Sequence, residues 1–92
     1  MASFLVETHV GQGGREQFAT AVDRLRDALA EMAVLDSRVR HLRSYMVPSD
    51  EMGFHVVEAD SAEAVIRLAK IAGIDVERIV SAIGIDPADR SE

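Results

Sequence analysis

Apolar residues recur along this chain with two alternating periods, and the order in which those periods follow one another restricts the fold. From Ser3 to Val10, Phe4, Val6 and Val10 alternate with Leu5, Glu7 and His9, the period of two of a half-buried strand. Gly11-Gln12-Gly13-Gly14 breaks the alternation and permits a turn. Between about Arg15 and Met32, Phe18, Val22, Leu25, Leu29 and Met32 recur at steps of three and four, one stripe of a helix. Asp23, Arg24, Arg26, Asp27 and Glu31 form its solvated side. Leu35-Asp36-Ser37 leads to a second strand, about Arg38 to Val47, and Pro48-Ser49-Asp50-Glu51 supplies a hairpin turn into a third, about Met52 to Ala59. Asp60 is the expected N-cap of a second helix, with Glu63 completing a capping box and Gly73 ending it. Val65, Leu68, Ala69 and Ala72 make its packing face. Val76 to Ile85 fits either period, and its β-branched content together with the need to complete a sheet favours a strand. Asp86 to Glu92 is a polar tail.

The order β-α-β-β-α-β predicts an α+β fold of the ferredoxin-like, split βαβ type. Right-handed crossovers then give a four-stranded antiparallel sheet ordered 4-1-3-2, with both helices on one face. The 92 residues read as a single domain, with its core at about residues 3–85 and a tail at 86–92. A chain of this size is near the lower limit for a self-sufficient core, so association with a second copy is expected.

Composition removes several alternatives. Cysteine is absent, which excludes disulfides, zinc-thiolate sites and a thiol nucleophile and suits a cytoplasmic protein. A net charge of −6 disfavours nucleic acid. Met1-Ala2-Ser3-Phe4 has no basic n-region, so no signal peptide is expected, and no apolar run approaches the ~20 residues of a membrane span. The basic group Arg38, Arg40, His41 and Arg43 reads as an edge strand guarded by charge. Gly11 to Gly14 lacks the lysine and spacing of a phosphate loop and reads as a connector. No Ser-His-Asp or His-Glu-x-x-His pattern occurs.

The chemical clue is Glu7 with His9, two apart and so on one face of a strand. An even pairing register would bring His55 beside them on the face away from the helices, with Phe4, Val6, Val10, Phe54 and Val56 facing the helices. An odd register would send His55 into the helix-side core. A carboxylate and two imidazoles make a metal-ligand set, and Tyr45 is placed to hydrogen-bond into it or to fill the space beside it. Histidines must be neutral to ligate, so affinity is expected to fall below about pH 6.5. Met46 and Met52 read as gap-filling thioethers. Glu58 reads as a carboxylate satisfied by a backbone donor or by Arg43.

Val39-Arg40-His41-Leu42-Arg43-Ser44-Tyr45, Phe54-His55-Val56-Val57-Glu58-Ala59, Ala62-Glu63-Ala64-Val65, Ala72-Gly73-Ile74, Glu77-Arg78-Ile79-Val80 and Phe4-Leu5-Val6-Glu7 together resemble a known family. It is a domain-of-unknown-function family of small ferredoxin-like proteins that includes actinobacterial nickel-binding proteins, and the likeness spans roughly residues 3–83. The resemblance implies a homodimer that binds nickel, with no established enzymatic activity. Two positions depart from the family pattern: His41 stands where many relatives have an aromatic residue, and His55 where many have cysteine. Geometry and resemblance together nominate Glu7, His9, Tyr45 and His55 as the metal site, for nickel first and zinc or copper as alternatives. The competing classes are a dimeric α/β-barrel enzyme, such as a monooxygenase holding an aromatic substrate or haem, and a non-catalytic interaction module.

Overall fold

The structure, a computed structural model, describes residues 1–11, 14–34, 38–85 and 87–89. The expected linker at 35–37, part of the glycine turn at 12–13 and most of the polar tail lie outside the described residues. The elements follow the order read from the sequence: β1 (Ala2–His9), α1 (Gly14–Val34), β2 (Val39–Val47), β3 (Met52–Ala59), α2 (Ala62–Ala72) and β4 (Val76–Ala82). The strands form one antiparallel sheet ordered β2-β3-β1-β4, the ferredoxin-like arrangement. Val76 to Ala82 is a strand, and the C-terminal part of the expected element, Ile83 to Ile85, lies beyond it.

Burial of one stripe from each helix against one sheet face forms the core. Leu25, Ala28 and Met32 from α1 meet Val65, Leu68 and Ala72 from α2 over Phe4, Val6, Val57 and Ala59. Helix α2 is bounded as its sequence requires, with one shift. Ser61, not Asp60, is the N-cap: its Oγ accepts the Ala64 N–H at 3.2 Å. Both residues are good capping types, and adjacent candidates are not separable by pattern. Gly73 adopts φ 71° and its N–H donates to the Lys70 carbonyl, closing the helix as a left-handed C-cap.

The register of the central strand differs from the even pairing considered above. Val6 pairs with His55, Phe4 with Val57 and Thr8 with Gly53. Gly53, His55, Val57 and Ala59 therefore face the helices and are buried, whereas Phe54 and Val56 lie on the open face with Leu5 and Glu7. This reverses the expected orientation of β3. Its two sets of alternate side chains are equally able to face apolar surroundings, so hydrophobicity does not choose between them. The connection does: the tight turn Pro48–Asp50, with Glu51 at φ 53°, sets the hairpin register. The Val10 N–H, donating to the Glu51 carbonyl at 2.7 Å, ties that turn to the end of β1.

Candidate functional site

The register separates the residues nominated from the sequence. On the open face one transverse row runs Tyr45, Phe54, Glu7, Arg78 across the four strands. Glu7 is held there by an ion pair, with Arg78 Nε and Nη2 3.1 and 2.9 Å from its Oε2. Tyr45 is half exposed and separated from Glu7 by the Phe54 ring position, with its hydroxyl 3.5 Å from Arg43 Nη1. His9 is exposed at the end of β1. His55 is on the opposite face and fully buried, so the expected Glu7, His9 and His55 cluster does not form within one chain. Glu58 is paired with Arg40 at 3.5 Å rather than with Arg43.

A different constellation forms instead. The row beneath the helices runs Ser44, His55, Val6, Ile79. Ser44 Oγ lies 2.6 Å from His55 Nδ1 and 2.7 Å from His41 Nε2, a hydroxyl bridge between two imidazoles. His41 and Ser44 are three apart and would face opposite ways in a regular strand. A β-bulge between His41 and Arg43, in which Leu42 is the extra residue, puts His41 on the helix side with Ser44. His41 and His55 thus meet at one serine. Hydrophobic alternation gave no sign of it, since a bulge adds a residue without a distinctive composition.

The surroundings define the state of these rings. The Phe18 ring stacks on His55 with centroids 5.1 Å apart and an interplanar angle of 11°. His41 meets His55 edge-on, with centroids 5.8 Å apart at 71°. Burial, reinforced by the neighbouring His41, pushes His55 down to about pKa 4. Burial also lowers His41, partly offset by a backbone hydrogen bond involving Arg43. Both rings are accordingly neutral at pH 7. One hydroxyl proton serves two ring nitrogens, so Ser44 donates to one histidine and accepts from the other. Among the described residues His55 Nε2 has no hydrogen-bond partner, and it is buried.

Two neutral imidazoles are donors suited to a borderline divalent ion, but here both meet Ser44 Oγ; an ion would have to take the place of that hydroxyl, and the ring nitrogen that donates to it would have to change tautomer to offer its lone pair. His41 Nε2 and His55 Nδ1 would be the donors, with the Ser44 hydroxyl beside them. No group of three or more His, Cys, Asp or Glu gathers among the described residues.

These features define a ferredoxin-like domain with a bridged histidine pair under its helices. Residues 4–81 match the family described as nickel responsive protein SCO4226-like, and the chain belongs to that family. Among solved structures it is similar to SCO4226 from Streptomyces coelicolor A3(2), with 23% identity and a TM-score of 0.69. The match covers 92% of this chain and 100% of that one, and it supports the fold. A comparison with curated proteins gives no match. No helix among the described residues is long and apolar enough to cross a membrane.

Proposed function

We propose that this chain is a homodimeric, non-enzymatic protein that binds nickel reversibly, using His41 and His55 as its imidazole donors. The observation that carries this reading is the Ser44-bridged pair, two neutral rings already aimed at one point. Nickel, bound there, would act as a Lewis-acidic cation held by imidazole nitrogen. The protein's own contribution is to orient the rings and keep them unprotonated. A partial donor set leaves positions for water, which suits exchange and response better than permanent retention.

The open sheet face supports a second copy as partner. Leu5, Phe54, Val56 and Val80 are only half buried there, and no helix among the described residues covers them. The molecule is flat, 45 × 36 × 18 Å. Its accessible surface is 6381 Å², whereas a compact monomer of this mass exposes about 5,200 Å². Part of the excess is the C-terminal segment, where Ile83 and Ile85 stand exposed. Pairing of the open faces would bury the apolar row together with the Glu7–Arg78 ion pair.

Calorimetric titration of tag-free protein with Ni(II), and in parallel with Zn(II) and Cu(II), tests the reading. Saturable binding is expected at neutral pH. His41→Ala and His55→Ala should each weaken it by at least about tenfold, and Glu7→Gln and His9→Ala should leave it nearly unchanged. Because His55 is depressed to about 4, affinity should persist well below pH 6.5, where an ordinary histidine site fails. Absence of saturable binding, or loss caused by the Glu7 and His9 substitutions instead, would refute the assignment.

A further inference from the structure

Phe18, whose ring stacks on His55, also lines a separate cleft. This cleft of about 390 Å³ opens between the end of β1, the N-terminal half of α1 and the α2–β4 connection. Its apolar lining comes from Val10, Phe18 and Ile74, with His9, Arg24 and Asp75 among the polar residues around it. Arg24 projects from the helix and Asp75 from the connection, so the two charges come from separate elements. Neither makes an ion pair with the other or with any other residue among those described.

An open cleft of mixed polar and apolar lining that holds one unpaired charge of each sign suits a small dipolar molecule. A simple anion would leave Asp75 unmatched and beside it, and a simple cation would do the same to Arg24. A purely apolar ligand would forgo both and would desolvate them on entry. The ligand that meets all three features carries a carboxylate for Arg24, an ammonium for Asp75 and a compact apolar group for Val10, Phe18 and Ile74. We infer that this cleft binds a free α-amino acid with an apolar side chain, as its zwitterion. The volume suffices for such a molecule with accompanying water. This inference is independent of the metal reading, and it is tested on metal-free protein so that the two fail separately.

The test is an amide chemical-shift titration of the full-length chain in the presence of a chelator. The probes are L-leucine, leucinamide, which lacks the carboxylate, and 4-methylpentanoate, which lacks the ammonium. L-Leucine is expected to shift the Thr8, Phe18 and Ile74 amides saturably, while each truncated probe binds at least about tenfold more weakly. Arg24→Gln and Asp75→Asn replace exposed side chains and should keep the folded spectrum while weakening L-leucine by a similar factor. Equal binding of all three probes would overturn the inference, because apolar contact alone would then explain it. So would the absence of a saturable shift up to roughly 10 mM for any apolar amino acid, a concentration at which even weak binding is visible.

Discussion

Acidification from pH 7 to about 4.5 is expected to cost the fold roughly 2–3 kcal/mol through His55 alone. In the unfolded chain this histidine takes up a proton near 6.5, whereas in the folded chain it resists until about 4. Between those values the unfolded state binds the extra proton, so stability falls as the pH drops through that window. The loss levels off once the folded ring is protonated too. The cause is physical and local: the ring is fully buried beneath Phe18, and its one hydrogen-bond partner is a hydroxyl that His41 shares. Urea denaturation at a series of pH values reads the slope directly. His55→Leu keeps a similar volume, removes the unpartnered Nε2 and should abolish most of the slope between pH 6.5 and 4.5. A slope unchanged in that variant would place the titrating group elsewhere.

Gly53→Ala is expected to destabilise the protein by about 1–3 kcal/mol, an unusual cost for one methyl group. A Cβ at this position would overlap Phe18 Cε1 and stand 2.8 Å from Cδ1 and 2.9 Å from Thr8 Oγ1. Room requires moving the Phe18 ring, which is stacked on His55, together with a smaller shift of Thr8 Oγ1. Thr8 is buried as well, with its hydroxyl 3.3 Å from the Gly53 carbonyl. Relief should come from the aromatic side: in Gly53→Ala/Phe18→Leu the combined loss should be smaller than the sum of the single losses. Thermal unfolding of the four proteins in this cycle gives the coupling. Strict additivity would mean that Phe18 is not what the new methyl group meets.

Most of the architecture was legible because it depends on periodicity. The stripe containing Leu25 and Met32, the face Val65, Leu68, Ala69 and Ala72, and the Gly73 stop all lie where the spacing puts them. The basic run Arg38 to Arg43 belongs to an edge strand, as its charge suggested. The site was less legible, for two reasons that act together. Strand β3 carries apolar side chains on both sides, so alternation could not decide whether His55 or Phe54 faced the helices. The bulge at Leu42 then turned His41 to the same side as Ser44, against the parity of their spacing. Glu7 and His9 had the visible i, i+2 signature, yet Glu7 pairs with Arg78, a residue 71 positions away. Such pairings follow from strand register, which a single chain specifies through its turns more than through its composition.

The metal assignment rests on two ring nitrogens that converge on Ser44 Oγ from strands β2 and β3. Anomalous diffraction at the nickel edge, from crystals grown with Ni(II), locates a bound ion without reference to affinity. The expected result is a peak within bonding distance of both His41 Nε2 and His55 Nδ1. A nickel peak beside Glu7 or His9 instead, or none at the bridged pair despite saturable binding in solution, would contradict it.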